Sequence, residues 1–312
     1  MQEKALEIIN EVKKGVVGKD AIIGKVLMVI LAQGHILLED IPGVGKTTLA
    51  LAFSKAMSLD YKRIQFTPDV MPTDVTGFSI YNKASGALEY KPGAALCNLF
   101  LADEINRTSS KTQSALLEVM EEGSITVDGT THPTPKPYIV IATQNPIGSV
   151  GTQMLPDSQL DRFMVRLTMG YPLLADEVEI LKRKKGEDPL ESVRKVVDAE
   201  EIMMMQKQVD AVFVSNDVYH YVARLVGATR ENSLIRLGAS PRGSIALIKM
   251  AQAAAYLSGR DYVVPQDIHY VFRDVIEHRI LLNPQAKISN LTVGSLLATI
   301  LKDMPAPAIA KH

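Results

Sequence analysis

Residues 39–48 read Glu-Asp-Ile-Pro-Gly-Val-Gly-Lys-Thr-Thr, and they constrain the fold more than any other stretch of the chain. A short apolar run, His35-Ile36-Leu37-Leu38, precedes them and reads as a buried strand. Leu49-Ala50-Leu51-Ala52-Phe53 follows and reads as the start of a helix. A glycine-rich turn between strand and helix presents several backbone N–H groups at a helix N-terminus, which suits a phosphate. On this reading Gly43, Val44, Gly45, Lys46, Thr47 and Thr48 form the cradle. Lys46 reaches the β- and γ-phosphates, and Thr47 places its hydroxyl on a magnesium ion. The usual pattern is G-x-x-x-x-G-K-[ST]; here Asp40 stands in place of its first glycine. Pro42, Gly43 and Gly45 still permit the tight turn. An ordinary Gly/Pro loop is the alternative, and the strand–loop–helix context favours the phosphate.

A chain of 312 residues suits two domains or one large one, and 46% hydrophobic residues allow a substantial core. The formal net charge of -1 points to neither nucleic acid nor an anionic membrane as a general partner. Cys97 is the single cysteine, so no internal disulfide forms; its setting in Ala94-Ala95-Leu96-Cys97 reads as a buried small residue. No apolar run reaches the ~18–20 residues that span a bilayer. The first residues, Met1-Gln2-Glu3-Lys4, show no signal-peptide core, so a cytoplasmic protein without membrane insertion is expected.

In chain order, residues 2–14 and 21–32 show helical spacing, with Gly15 as a stop between them. Val17 and Gly18 lie where an adenine fits against backbone, although a core turn explains them equally well. Lys62–Phe66 reads as a second strand. Phe78–Asn82 and Leu88–Lys91, joined by Lys83-Ala84-Ser85-Gly86, give a hairpin signal. Asn98-Leu99-Phe100-Leu101-Ala102 is an apolar strand that ends in two carboxylates, Asp103 and Glu104. Paired with the phosphate loop, Asp103 is expected to hold the magnesium shell and Glu104 to orient and polarise an attacking water. A helix follows from Ser110 to Glu121, then a second hairpin near 124–138. Tyr138–Thr143 is a buried strand that ends at Gln144-Asn145-Pro146. An amide there suits contact with a γ-phosphate, and an Asn opening a turn before proline is the competing explanation.

Leu155–Phe163 reads as a short helix and Met164–Met169 as a strand. Residues 182–189 form the best linker, charged and containing Gly and Pro; its basic cluster reads as a solvated helix end. Beyond it the pattern is helical. Asp198 and Glu201 make a capping box, Asn216 or Asp217 opens the next helix, and Ser240-Pro241-Arg242 opens a third. Pro265 starts a fourth, and Thr292–Leu301 a last. Met203-Met204-Met205 reads as helix packing rather than a metal site.

The phosphate loop, the acidic strand end, Asn145, Leu160-Asp161-Arg162-Phe163 and Ser240-Pro241-Arg242 occur in the order of an AAA+ ATPase. Ala102-Asp103-Glu104-Ile105-Asn106-Arg107-Thr108 together with Lys111-Thr112-Gln113-Ser114-Ala115-Leu116-Leu117-Glu118 closely resembles the MoxR family. The resemblance covers nearly the whole chain. It implies a P-loop NTPase α/β core with a parallel sheet and inserted β-hairpins over 1–185, followed by a smaller all-α lid over 190–312. It also implies that Lys46 and Thr47 match Walker A, Asp103 and Glu104 Walker B, and Asn145 sensor 1. Arg162 then looks like the arginine finger that enters a neighbouring site, and Arg242 like sensor 2, acting on its own nucleotide or a neighbour's.

ATP and magnesium are the implied ligands, and a ring homo-oligomer, a hexamer, the implied assembly. A von Willebrand factor A domain protein or another client complex is the implied partner. The expected activity is ATP hydrolysis that drives chaperone-like remodelling, assembly or activation of such a complex. Two other classes remain open at this point. An MCM-like nucleic-acid motor would share the hairpins but lacks a DNA-binding domain and a basic charge here. A nucleotide-gated scaffold would not need Glu104 or Arg162.

Overall fold

Helical periodicity at the start of the chain gives α1 (Gln2–Gly15) and α2 (Asp20–Leu31), followed by β1 (Ile36–Glu39). These come from a computed structural model that describes residues 1–145, 154–183 and 188–308. Pro146 and positions 184–187 of the expected linker lie outside the described residues. The glycine-rich loop enters α3 (Lys46–Ala56), then β2 (Tyr61–Gln65) and the one-turn α4 (Pro72–Thr76). A hairpin of β3 (Gly77–Asn82) and β4 (Ala87–Pro92) precedes β5 (Leu99–Asp103) and α5 (Ser110–Glu122). A second hairpin, β6 (Ser124–Val127) and β7 (Thr130–Pro133), leads into β8 (Ile139–Gln144). Next come α6 (Asp157–Leu160), β9 (Val165–Leu167) and α7 (Leu174–Arg183). The remainder holds α8 (Ala199–Asp210), α9 (Asn216–Glu231), β10 (Ile235–Leu237), α10 (Pro241–Leu257) and α11 (Pro265–Ile276). It closes with β11 (Leu281–Leu282), α12 (Pro284–Ile288) and α13 (Val293–Asp303).

The main sheet has five strands in the order β2-β5-β8-β1-β9, all parallel. Its central strands read as unbroken apolar runs because they are covered on both faces. Alternate side chains go to opposite sides. Ile36, Leu38, Leu99, Leu101, Ile139 and Ile141 join a core shared with α1, α2 and α3. Leu37, Phe100, Ala102, Val140 and Ala142 join the core under α5. The pairing register sets Leu38 against Thr143, Ala102 against Ala142 and Gln65 against Asp103. The C-terminal ends of β1, β5 and β8 therefore finish side by side, where open α/β sheets bind ligands.

The helices after residue 199 do not form a core of their own. Ile202, Met205, Tyr221, Leu225, Met250 and Phe272 belong to the same apolar cluster as α1–α3. Gln206 Nε2 donates to the Ile30 carbonyl at 2.8 Å, and Lys25 pairs with Asp274 at 2.5 Å. The expected capping box is present, with Glu201 N–H donating to Asp198 Oδ1 at 3.2 Å. The next helix opens at Asn216, as expected, with Ser215 as its N-cap. Among these helices β10 and β11 pair as a small antiparallel clip that the helical pattern does not announce. Cys97 is fully buried, and Met205 packs inward while Met204 is exposed. No helix among the described residues is long and apolar enough to cross a membrane.

Both expected hairpins are present, and they touch. Tyr90 of β4 stacks on His132 of β7 with ring centroids 3.9 Å apart. The first hairpin leaves Phe78, Tyr81 and Leu88 exposed. Its tip, residues 83–86, is exposed, so this end of the hairpin stands off the core.

His35 ties three elements together. Its Nδ1 accepts from the Val140 N–H at 3.0 Å, and its Nε2 lies 3.0 Å from the Met120 carbonyl. That pattern requires the neutral ring with the proton on Nε2. Burial pushes its pKa down from 6.5 to about 4. The unfolded chain therefore binds the extra proton first as pH falls below 6.5. The stability from this group is fully present above that value. It is lost as pH falls toward about 4, in total about 3 kcal/mol. The urea midpoint of the wild type should drop between pH 6.5 and 4.5 more steeply than that of His35→Gln. Equal slopes would assign the acid sensitivity elsewhere.

Candidate nucleotide site

The loop after β1 is built for close backbone approach. Gly43 and Gly45 have φ of 84° and 94°, a left-handed conformation that a side chain would strain. Gly45 is the N-cap of α3, and no side chain caps that first turn. Its N–H groups are left for a ligand in the loop. Lys46 is buried and folds back on the loop, donating to the carbonyls of Asp40 at 2.9 Å and Ile41 at 3.3 Å. Burial lowers its pKa, opposed by the nearby carboxylates Asp103, Asp40 and Glu104. Thr47 and Thr48 follow in the first turn, half-buried.

Asp40, the departure from the usual loop pattern, is a fastener. Its Oδ2 accepts from the Gly170 N–H at 2.6 Å and its Oδ1 from the Ile41 N–H at 2.9 Å. Lys19 reaches the same segment, donating to the carbonyls of Met169, Gly170 and Tyr171 at 2.7, 3.1 and 2.9 Å. The Val17–Gly18 turn and the phosphate loop are thus both tied to residues 169–171. Gly18 has φ of 69°, and a Cβ there would collide with the Asp176 carboxylate.

The two acids come off β5 in different directions. Asp103 ends the strand, whereas Glu104 has φ of 57°, an uncommon left-handed value for a residue with a side chain. Thr143 of β8 sits between them. Its hydroxyl donates to Asp103 Oδ1 at 2.6 Å and accepts from the Glu104 N–H at 2.8 Å. Asp103 Oδ2 also takes Arg63 at 2.7 Å. Glu104 Oε2 accepts from Gln65 Nε2 at 3.1 Å and from Arg107 at 2.8 Å. The Asn145 carbonyl, just past β8, accepts from Asn106 Nδ2 at 3.2 Å. Lys46, Asp103, Glu104 and Asn145 thus gather at one end of the sheet.

Arg162 and Arg242 do not join them. Arg162 donates to the Leu117 carbonyl at 2.8 Å and pairs with Glu121 Oε2 at 3.0 Å. Arg242 pairs with the other oxygen of Glu121. Both line a cleft of about 330 Å³ together with Gly34 and His35, which lie just before β1. The length of β1, ~13 Å at about 3.3 Å per residue, separates this cleft from the phosphate loop.

The residues at the loop fit a triphosphate carrying magnesium. Among the described residues no group of three or more His, Cys, Asp or Glu side chains could hold a metal alone. One carboxylate and one hydroxyl, Asp103 and Thr47, instead suit a metal bound largely through substrate phosphates.

Similarity to known proteins agrees with this geometry. Residues 35–165 match the ATPase family associated with various cellular activities, and residues 227–300 match the AAA lid domain. Chaperone MoxR1 of Mycobacterium tuberculosis is 37% identical, over 96% of this chain and 82% of its own length. The chain belongs to the MoxR family of AAA+ ATPases. Another MoxR relative, Protein MoxR of Methylorubrum extorquens, is 31% identical over 98% of this chain and 96% of its own. YeaC of Bacillus subtilis is 47% identical over 97% of this chain and 94% of its own. A solved structure from Cytophaga hutchinsonii, 39% identical, superposes with a TM-score of 0.92 over 98% of this chain and 96% of that one. The fold is accordingly the AAA+ P-loop α/β fold with a helical lid.

In this MoxR chain the sequence alone misses Arg63, Gln65, Thr143 and Glu121 as site residues. Their roles depend on strand order and on which helix end meets the lid. Asp40 was legible only as a mismatch. Asp40→Ala should leave the Gly170 N–H unpaired and cost about 1–3 kcal/mol. Asp40→Asn, which keeps an acceptor, should cost less. Urea unfolding decides; an unchanged midpoint in the Ala variant would mean that the contact carries no stability.

Proposed function

We propose that this protein hydrolyses ATP with magnesium in a ring of identical subunits, a hexamer, and uses the cycle to remodel, assemble or activate a client complex. The carrying observation is the separation of Arg162 and Arg242 from Lys46, Asp103 and Glu104. One subunit holds two half-sites at opposite ends of its strands. A neighbour's arginine edge laid against the phosphate loop would complete a site at each subunit boundary.

In that site the α3 first-turn N–H groups and Lys46 bind the β- and γ-phosphates. Val17 and Gly18 lie beside the base. Thr47 and Asp103 hold the magnesium, which supplies charge neutralisation on the phosphates. Glu104 orients and polarises the attacking water once its carboxylate leaves Gln65 or Arg107. Asn145 contacts the γ-phosphate or that water. The neighbour's Arg162 stabilises charge as it develops, an effect worth about 10³ or more in rate. Arg242 shares its edge with Arg162, which supports action on the neighbour's nucleotide. The exposed hairpins are the client surface, and a von Willebrand factor A domain protein in the cytoplasm is the client class the family suggests. The chaperone name of the M. tuberculosis relative supports remodelling.

Lys46→Ala should lose nucleotide affinity because the cation on the phosphates is gone. Glu104→Gln should bind ATP normally and lose turnover about 10²-fold or more, since shape is kept and the base is not. Wild-type hydrolysis by Glu104→Gln would remove Glu104 from the mechanism.

Arg162→Ala should bind ATP and assemble, yet turn over poorly. Mixed with Lys46→Ala subunits, it should recover part of the activity, because some boundaries then pair an intact Lys46 with an intact Arg162. If mixed assemblies form and no activity returns, Arg162 does not act across the boundary.

A further inference from the structure

The helix α7 is built inside out. Its ten residues include none that is buried. Leu174, Val178 and Leu181, at i, i+4 and i+7, lie on one stripe, and they are 80%, 42% and 64% exposed. The face turned to the protein is charged instead. Asp176 lies against Gly18, Glu179 pairs with Arg183 at 2.9 Å, and Arg183 donates to the Lys14 carbonyl at 2.7 Å. Tyr171 and Leu173, exposed just before the helix, extend the apolar surface. Scattered exposed apolar residues are ordinary, but a continuous stripe on a helix held down by its polar side marks a contact surface.

We propose that this stripe is the docking surface for a second copy of this chain, which seats against it the cleft that holds Arg162 and Arg242. The proposal rests on the trans-acting reading above and adds the surface that delivers it. Position argues for a second copy. α7 leaves the same 169–171 segment that anchors Asp40 and Lys19, so it borders the phosphate loop, and an arginine edge approaching that loop must meet it. Charge argues the same way. On its outward side the first turn of α7 carries Glu177, which is exposed. The cleft carries Arg162, Arg242 and Lys249 against one acid, Glu121, while Arg279 is buried and paired with Asp161. Next to Arg242 the cleft offers an apolar rim, with Ile245 59% exposed. The two surfaces differ, so the contact is head-to-tail and each copy has both halves free for a neighbour. Such contacts close into rings when the rotation permits.

Val178→Glu with Leu181→Glu should keep the melting temperature and nucleotide affinity of the wild type, because both side chains face solvent. In sedimentation with a slowly hydrolysed ATP analogue, assembly should weaken about tenfold or more. Cross-linking gives an independent measurement. Val178→Cys or Leu181→Cys, each combined with Ile245→Cys, should form disulfide ladders of several subunits under oxidation. The natural Cys97 is fully buried and its thiol is pushed up to about 12 by that burial, so it stays out of the exchange. The α7 cysteines alone should not cross-link. Undiminished assembly of the Glu variant, dimers from an α7 cysteine alone, or a wild type that stays monomeric with nucleotide would each overturn the proposal. Normal assembly of the Glu variant alongside recovered activity in the Arg162/Lys46 mixture would refute the α7 surface alone. Ladders without ATP hydrolysis by the wild type would keep the surface and refute the proposed activity.

Discussion

One hydroxyl holds the chemistry end of the sheet in order. Thr143 belongs to β8, yet it binds both acids that leave β5, donating to the Asp103 carboxylate and accepting from the Glu104 N–H. It is fully buried, so loss of either bond leaves a polar group without water to replace its partner. The bond to a carboxylate is also of the stronger, charge-assisted kind. Through it the spacing between Asp103 and Glu104 becomes a property of strand pairing. The left-handed turn at Glu104 is tolerated because Thr143 on one side, and Gln65 and Arg107 on the other, over-determine it.

The opposite end of the strands follows different electrostatics. Glu121 takes Arg162 on one oxygen and Arg242 on the other, but the side chains of Arg162, Arg242 and Glu121 are 30%, 49% and 37% exposed. Ion pairs of that exposure are worth about 0–1 kcal/mol each. In the proposed assembly a neighbour's triphosphate, more highly charged and enclosed at a boundary, would compete with Glu121 on favourable terms. Glu121 thus gathers the two guanidiniums without locking them in place. An arginine edge that had to break a buried pair before meeting its target would cost several kcal/mol more.

Much of the fold was legible because its signals are local. Parallel strands covered on both faces read as apolar runs, glycines mark the phosphate loop, and Ser240 and Asp198 announce helix starts through their side chains. The two acids at the end of β5 and the glycine loop were legible as candidates for the same reason. Gln65 and Arg63 were not, since they reach Glu104 and Asp103 only because β2 pairs with β5, a fact of strand order. Helix α7 was missed because its outward stripe and inward charges sit next to a charged run that reads as linker. The lid read as a separate helical region, yet its apolar side chains complete the core begun by α1 and α2. Helical periodicity reveals an apolar face without revealing what covers it.

That shared core bears on how motion can propagate. Arg279 of the lid is buried and pairs with Asp161 at 2.8 Å, and it donates to the Phe163 carbonyl at 2.7 Å. Ser240, which caps the helix bearing Arg242, donates to the same Asp161 at 2.8 Å. Asp161 immediately precedes Arg162. Breaking this network would strand a buried guanidinium, a change costing about 3–5 kcal/mol. The segment bearing Arg162 and the lid bearing Arg242 are therefore coupled, and the arginine edge moves as one piece. The weakly held contacts lie instead at Glu121. In the proposed assembly a change at the phosphate loop would be most readily expressed between subunits, where the contacts are replaceable, rather than between the sheet and its lid.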